Sequence, residues 1–282
     1  MASNGWQKGG GMVGQATEKV TVTLDRNAVG RVAYQTASEV SDIFSLAFTV
    51  IAGADVENIP TNPDQHMHFS LKTRGRSAAE QREAYQRRLV AMCFSDLARA
   101  IRETLETACA HMELLKTPPE TLAGGSPDEV LERVVARMEA IRPSAQALNY
   151  PQLLKRVQDG LSAPLTWTPE LHSFQTVRNC LEHRGGVVGE RDVDQNGQLT
   201  LSLPTVELYH LDAEGNETAM HFDAPTQKET QVMLRTITRT QTFNLGQTVS
   251  IPPRDVKEVA FAVLMLAGDL VAKMPASDRQ EI

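Results

Sequence analysis

The sequence predicts a mainly α-helical bundle with a small antiparallel β element inserted before the last helix. Apolar residues recur every three or four positions from residue 27 to 184, as in helices that bury one face. From 190 to 252 they alternate with polar residues, as in strands, and from 255 to 274 the helical spacing returns. We expect a flexible N-terminal segment 1–20, a helical bundle 21–189, a β-rich insertion 190–254, and a C-terminal helix 255–282 that completes the bundle.

Composition indicates a folded protein without a bulk attraction to nucleic acid. The chain has 282 residues, of which 41% are hydrophobic, and a net charge of −7. Because a protein that coats nucleic acid by charge is basic, any such contact has to be local. Three scattered cysteines predict no disulfide framework, and free thiols fit a reducing cytoplasm. The most apolar run, Val259 to Gly268, is about half the length of a membrane-spanning helix.

Start and stop signals divide the helical part into separate helices. Ser126 and Glu129 have the spacing of a capping box, and Pro127 is suited to the first helical position. Pro118 is expected to stop the long helix before it. Together the signals predict helices over about 27–54, 78–115, 126–142 and 151–161.

The next helix is expected from Thr168 to Arg184, with Thr168 as its N-cap and Gly185-Gly186 as its stop signal. Alternation then predicts a hairpin over about 199–222, followed by a second β stretch over about 232–251 with Gly246 as a turn. Asp255 and Glu258 have capping-box spacing at the start of the last helix.

The most informative segment, Arg178-Asn179-Cys180-Leu181-Glu182-His183, lies at the end of the 168–184 helix. At about 100° per residue, Arg178 falls inside the apolar stripe of that helix, whereas Asn179 and His183 share a more polar face. A guanidinium in an apolar stripe is costly to bury without a partner. Arg178 could face a second subunit, a groove that holds an anion, or Glu182 at i+4 in an ordinary ion pair.

The three polar side chains suit RNA cleavage without a metal. RNA carries its own nucleophile, the 2′-hydroxyl beside each phosphate, so the protein has to supply proton transfer and a cation. Histidine titrates near neutrality and can act as base or acid, arginine binds phosphate bidentately, and asparagine can orient either one.

The spacing Arg178-Asn179-x-x-x-His183, followed by Gly185-Gly186, resembles the motif of the HEPN superfamily. The resemblance implies a helical bundle that dimerises so that paired motifs form a metal-independent endoribonuclease site. It implies that His183 is the general acid or base, that Arg178 stabilises charge on the phosphate, and that Asn179 orients His183 or the substrate. It also implies a toxin or anti-phage defence effector, with an antitoxin or sensor protein as a further partner. The β-rich insertion is not part of the minimal family fold.

Several basic residues are candidates for binding RNA phosphates. Arg184 lies beside the motif, and a basic cluster precedes and begins the 78–115 helix: Lys72, Arg74, Arg76, Arg82, Arg87 and Arg88. Cations near a helix N-terminus oppose the helix dipole, so the cluster suits an anionic partner. A solvated face beside acidic neighbours is the alternative interpretation.

Two patterns resemble metal sites but are incomplete. Asp192 to Gly197 matches the first half of a calcium loop, yet Leu203 stands where the loop needs an acid, so a polar turn is expected. His66 and His68 are two residues apart, but no third ligand is near them in sequence. We therefore expect no metal and no cofactor. His172 is a weaker candidate for the same groove as His183.

The sequence thus predicts a metal-independent endoribonuclease of HEPN type that acts as a cytoplasmic homodimer. The alternative is a non-catalytic helical dimer that uses the same pocket to bind a nucleotide, an RNA or a protein. A catalytic site should leave His183 accessible and facing a second Arg178 across a two-fold axis, whereas an interface anchor should bury both residues. A purely structural protein should pair Arg178 with a carboxylate and show no pocket there.

Overall fold

The computed structural model describes residues 21–22, 24–56, 76–212, 214–220, 231–276 and 280–281. Within these residues the chain forms seven α-helices, five strands and a 3₁₀ helix at Arg26–Gly30. The helices are α1 (Arg31–Gly53), α2 (Ala78–Leu115), α3 (Pro119–Leu122), α4 (Pro127–Gln146), α5 (Tyr150–Gln158), α6 (Thr168–Arg184) and α7 (Pro253–Lys273). The strands are β1 (Thr21–Val22), β2 (Gln198–Leu211), β3 (Glu217–Met220), β4 (Val232–Asn244) and β5 (Gln280–Glu281).

The predicted fold class is confirmed in its main features: the chain is mainly helical, with a three-stranded antiparallel sheet before the C-terminal helix. The strand order is β3-β2-β4, so β4 forms one edge. β2 pairs with β4 from Gln198 opposite Asn244 to His210 opposite Val232. β1 and β5 form a separate two-stranded sheet.

The long helix α2 is central, because it packs against α1, α4, α5, α6 and α7. Its buried residues recur at threes and fours and include Phe94, whose ring stacks on Phe174 of α6 at a centroid distance of 4.0 Å. Burying each of these phenylalanines contributes about 1.5–3 kcal/mol. Leu165, just before α6, lines the same small cavity as Ile101 and Leu105 of α2. Helix α6 therefore runs antiparallel to α2, with its C-terminal end toward the N-terminal half of α2.

Strand β2 packs against both α6 and α7. Adjacent residues of a strand point to opposite faces, yet Leu203, Thr205 and Val206 are all buried. This double burial ties the sheet to the helix that carries the candidate motif. Among the described residues, no helix is long and apolar enough to cross a membrane.

Local signals placed several helix ends correctly and others wrongly. The Ser126–Glu129 capping box is present, and α2 has the predicted bounds. The predicted end of the third helix near Pro143 was wrong, because α4 continues to Gln146. The carbonyl of Pro143 accepts a hydrogen bond from the Ala147 N–H at 3.0 Å, so the last turn stays closed.

Two predicted N-caps are also corrected. Thr168 is the first residue of α6 and does not cap it, since its hydroxyl donates to the Leu165 carbonyl at 3.1 Å. Helix α7 begins at Pro253, so Asp255 lies within its first turn and does not form a capping box with Glu258. The second β stretch ends at Asn244, before the predicted turn at 246.

Candidate functional site

The segment Arg178–His183 occupies the C-terminal turns of α6, which ends at the predicted glycines. Gly185 has a φ of 60°, in the left-handed region that residues with a Cβ rarely adopt. The Gly186 N–H donates to the Cys180 carbonyl at 3.0 Å, which closes the end of the helix.

The chain after α6 is fixed to the loop that follows β4. The Val188 N–H donates to the Gln247 carbonyl at 2.9 Å, and the Gly246 N–H donates to the Val188 carbonyl at 2.9 Å. The Val249 N–H donates to the Gly186 carbonyl at 2.8 Å. These bonds hold the motif-bearing end of α6 beside the C-terminal end of β4.

Arg178 forms an ion pair within its own helix. Its Nη2 lies 2.5 Å from Oε2 of Glu182, and the two side chains are 29% and 23% exposed. Its Nη1 also donates to Oδ1 of Asn179 at 3.3 Å. The i+4 carboxylate considered in the sequence analysis is thus the partner of Arg178, and Arg178 is partly buried.

Asn179 is held by hydrogen bonds to two neighbours on α6. Its Oδ1 accepts from Arg178 and from Nε2 of Gln175, which lies at 3.1 Å. The Asn179 amide therefore positions the guanidinium of Arg178, and among the described residues it forms no hydrogen bond with His183. Asparagine and arginine form one unit, with the amide oxygen directed at the cation.

The His183 side chain is exposed in the last turn of α6. Within the described part of the chain, no side chain or carbonyl forms a hydrogen bond with its imidazole. Both ring nitrogens are consequently open to a hydrogen bond with a molecule that reaches this surface.

Arg184, predicted to bind substrate, pairs with the carboxylate of Asp192, whose side chain is only 4% exposed. The other oxygen of Asp192 accepts from the Gly189 N–H at 2.9 Å. The Nε of Arg184 is buried and has no hydrogen-bond partner among the described residues. The structure thus places Arg184 in the turn after α6, with its charge balanced.

Cys180 lies inside the motif but faces the core. It is fully buried, and its thiol donates to the Val187 carbonyl at 3.4 Å. Burial raises the pKa of the Cys180 thiol, so the thiol is a packed group and not a nucleophile.

The basic cluster is placed only in part. Arg76 is exposed just before α2, whereas Lys72 and Arg74 lie outside the described residues. Arg82 donates to the Ala54 carbonyl at 3.2 Å, and Arg87 pairs with Glu83 at 2.8 Å. The remaining arginine, Arg88, is exposed on the same half of α2. Because α6 runs antiparallel to α2, the C-terminal end of α6, which carries the motif, lies toward this N-terminal half of α2.

The other candidates have structural roles or lie outside the described residues. Asp194 accepts from the Gln198 and Asn196 N–H groups, which lowers its pKa and forms the predicted polar turn. His66 and His68 lie outside the described residues. Across the described ranges, no cluster of three or more histidine, cysteine or acidic side chains could hold a metal ion.

A buried ion cluster was missed by the sequence analysis. Asp255 is fully buried and pairs with Arg239, which also lies 2.7 Å from Glu258. Nearby on β4, the Thr238 hydroxyl donates to Glu170 at 2.5 Å. The signal that could have found the cluster is an arginine at position 239, on the strand face that otherwise carries the core residues of the sheet.

Comparisons with models of known families, with curated proteins and with solved structures found no match. The resemblance to the HEPN superfamily therefore rests on the motif and its place at the end of a bundle helix.

Proposed function

We propose that this protein is a metal-independent endoribonuclease of HEPN type, with its active site between the α6 helices of two copies. The observation that carries the proposal is the exposed imidazole of His183, which has no hydrogen-bond partner among the described residues. It stands one turn beyond Arg178 and Asn179, a cation and an amide already joined at 3.3 Å. RNA cleavage needs these two kinds of group, a free proton carrier and a phosphate-binding cation.

The reaction would use the 2′-hydroxyl of the RNA as nucleophile. His183 removes its proton while the 2′-oxygen bonds to phosphorus and the bond from phosphorus to the 5′-oxygen breaks. A second imidazole, from the other copy, donates a proton to the leaving 5′-oxygen. Arg178 binds the phosphate oxygens on which charge develops, and Asn179 holds the guanidinium in place. The products are a 2′,3′-cyclic phosphate and a 5′-hydroxyl.

Helix geometry is the reason for invoking a second copy. Arg178 and His183 are five residues apart, which at about 100° per residue separates their directions by about 140°. One helix therefore presents the cation and the imidazole to different sides. A second α6 helix that packs across the first can bring its histidine to the arginine of its partner.

The decisive experiment incubates the purified protein with a mixed RNA pool in EDTA. His183→Ala and Arg178→Ala should each lower the cleavage rate about 10²–10⁴-fold, the contribution of a general acid–base or of a transition-state charge contact. His172→Ala is the matched control. His172 is also an exposed histidine on α6, but it lies about three turns from His183 and its ring meets the Tyr150 ring edge-on, so the structure removes it as a candidate for the site. If the parent cleaves RNA and the His183 and Arg178 variants cleave equally well, these residues are not catalytic.

The toxin or defence role is part of this proposal and has its own test. Induced expression of the parent should arrest growth, and expression of His183→Ala at the same level should not. Arrest by both proteins would separate toxicity from RNA cleavage.

The second candidate is a non-catalytic helical dimer that binds a nucleotide, an RNA or a protein partner. The observation in its favour is the ion pair of Arg178 with Glu182 at 2.5 Å, which satisfies the charge without a substrate. Under this function, RNA would bind without being cleaved, and Arg178→Ala would weaken binding while His183→Ala would not.

A further inference from the structure

Strand β4 presents an unpaired edge, since the order of the sheet is β3-β2-β4. In an antiparallel pair, alternate residues direct their backbone N–H and C=O away from the partner strand. Gln198 of β2 lies opposite Asn244 of β4, but their backbone groups do not bond to each other. The N–H and the carbonyl of Gln198 both bond to Asp194, and the Asn244 N–H donates to the side chain of Gln247 at 2.7 Å, so Asn244 directs its backbone groups away from β2. Alternation from Asn244 then identifies the other outward-facing residues near the middle of the strand: Leu234, Thr236, Thr238, Thr240 and Thr242.

This edge lacks the features that usually prevent strands from pairing with another chain. The strand Val232–Asn244 contains no proline, glycine or lysine, and every residue from 232 to 244 pairs one to one with β2, so there is no bulge. The outward-facing residues are exposed. Within the described part of the chain, no other strand lies along this edge of β4.

The two arginines of β4 are neutralised within their own copy. Arg235 lies 2.5 Å from Glu207 and 2.6 Å from Glu217. Arg239 pairs with Asp255 and Glu258. Each charge on the strand thus has a carboxylate partner in its own copy, so an identical strand is repelled only where two arginines come to lie directly opposite each other.

We propose that β4 pairs with β4 of a second copy of this chain, antiparallel, with the two-fold axis at Thr238. Thr238 is the midpoint of Val232–Asn244, so this register uses the whole strand. Thr238 then faces its own copy, Thr236 faces Thr240 of the other strand, and Leu234 faces Thr242. These are hydrogen-bonded pairs that exchange two backbone bonds each. The two Thr236–Thr240 pairs are of a favourable cross-strand kind, whereas the Thr238 hydroxyl already donates to Glu170 in its own copy. The result is a continuous six-stranded sheet.

The neighbouring registers are unfavourable. Sliding one strand by two residues puts Arg235 opposite Arg239 in one direction, and Arg239 opposite its own copy in the other. Like charges directly opposite each other destabilise a strand pair. In the proposed register, Arg235 faces Gln241 and Arg239 faces Ile237, so the charges of the two copies stay apart.

This contact is separate from the one that RNA cleavage would require. The end of α6 is fixed beside the loop after Asn244, six residues from Thr238, which is about 20 Å along a strand. Pairing about Thr238 therefore places the two motifs at opposite ends of the shared strands. The β4 contact does not depend on the proposed function, and its test does not use RNA.

The test measures the mass of the full-length protein in solution by light scattering or sedimentation. A single chain has a mass of 31.0 kDa, and the parent is expected to be a dimer or a larger assembly. Thr240→Pro removes one outward N–H and leaves the bonds to β2 intact, so the mass should fall by half. Thr240→Val is the matched control, because it keeps the N–H and the branched shape, and it should keep the parent mass. A parent of single-chain mass, or a Thr240→Pro variant that is folded and keeps the parent mass, would overturn the proposal.

A charge pair tests the register and does not rely on proline. Thr236→Lys combined with Thr240→Lys places like charges opposite each other in two pairs, and should raise the dimer Kd at least about tenfold. Thr236→Lys combined with Thr240→Glu places opposite charges in the same two pairs and should restore association. Both positions are exposed, and circular dichroism would check that each variant is folded. Equal masses for the two double variants would rule out the Thr238 register.

Discussion

Under the proposed function, replacing Glu182 by glutamine should increase the affinity of this protein for RNA, because Arg178 is then free to bind a phosphate. In the structure, the Glu182 carboxylate lies 2.5 Å from the Arg178 guanidinium, so a phosphate that binds this guanidinium would have to compete with it. Glutamine has almost the same size and no charge, so α6 should keep its conformation. The substitution therefore removes the negative charge that competes with phosphate for Arg178 and leaves the arginine unchanged.

The expected size of the effect follows from how strongly Glu182 holds Arg178. Exposed i, i+4 ion pairs contribute about 0.3–0.5 kcal/mol, and hydrogen bonds to charged groups contribute about 1.5–3 kcal/mol. With side chains 29% and 23% exposed, this pair lies between the two cases. A cost of about 1–2 kcal/mol for separating the pair corresponds to RNA binding that is about 5–30-fold tighter in the variant.

The assay measures RNA binding in a His183→Ala background, so that the RNA is not cleaved. Adding Glu182→Gln should lower the Kd for a single-stranded RNA and steepen its salt dependence by about 0.7 in logarithmic slope, the value for one more phosphate contact. Glu190→Gln is the control, because it removes a charge from an exposed glutamate near the same helix end without releasing an arginine. An equal gain from both substitutions would mean that overall charge is responsible, and weaker binding by Glu182→Gln would refute the competition.

Two further predictions concern stability. Gly185→Ala should lower the free energy of unfolding in urea by about 1–2 kcal/mol, because Gly185 has a φ of 60°. Gly53→Ala, in a helix with open space at the Cβ position, should not lower it. Equal effects of the two substitutions would show that the left-handed backbone of Gly185 is not the cause. Burial raises the pKa of Glu258 above its ordinary value of 4.5, against the opposing effect of Arg239. Stability from a carboxyl of this kind is complete below the unfolded pKa and is lost as the pH rises through the folded pKa. The parent should therefore lose stability relative to Glu258→Gln from about pH 4 towards neutrality, and parallel pH profiles would contradict this.

The helices could be predicted from the sequence wherever local chemistry decides where they begin and end. Ser126 and Glu129 form a capping box within four residues at the start of α4. Gly185 adopts the left-handed backbone conformation, which residues with a Cβ rarely adopt. The Arg178–Glu182 pair was also within reach, since i+4 contacts follow from the period of the helix. In each case the interacting groups lie on one turn, so no knowledge of the tertiary structure was needed.

Features that depend on a distant partner could not be predicted. Asp255 and Glu258 have the spacing of a capping box, but Arg239 from the preceding strand binds both of them. Arg184 was predicted to bind substrate, but the turn after α6 places the carboxylate of Asp192 against its guanidinium. Sequence spacing identifies which groups can interact locally, whereas tertiary packing decides which of them already have a partner.

An Arg178 paired with a carboxylate was expected of a structural role, and an accessible His183 was expected of a catalytic role. The structure has both. They coexist because the two side chains point about 140° apart on α6, so a carboxylate on one side does not hinder the imidazole on the other. Under the proposed function, a phosphate would have to displace Glu182 from Arg178, at a cost of about 1–2 kcal/mol. That is comparable to a single charge-assisted hydrogen bond, which an RNA phosphate makes with arginine once it arrives. Under the proposed function, the ion pair would therefore set how tightly RNA must bind before Arg178 is available, and it does not by itself exclude catalysis.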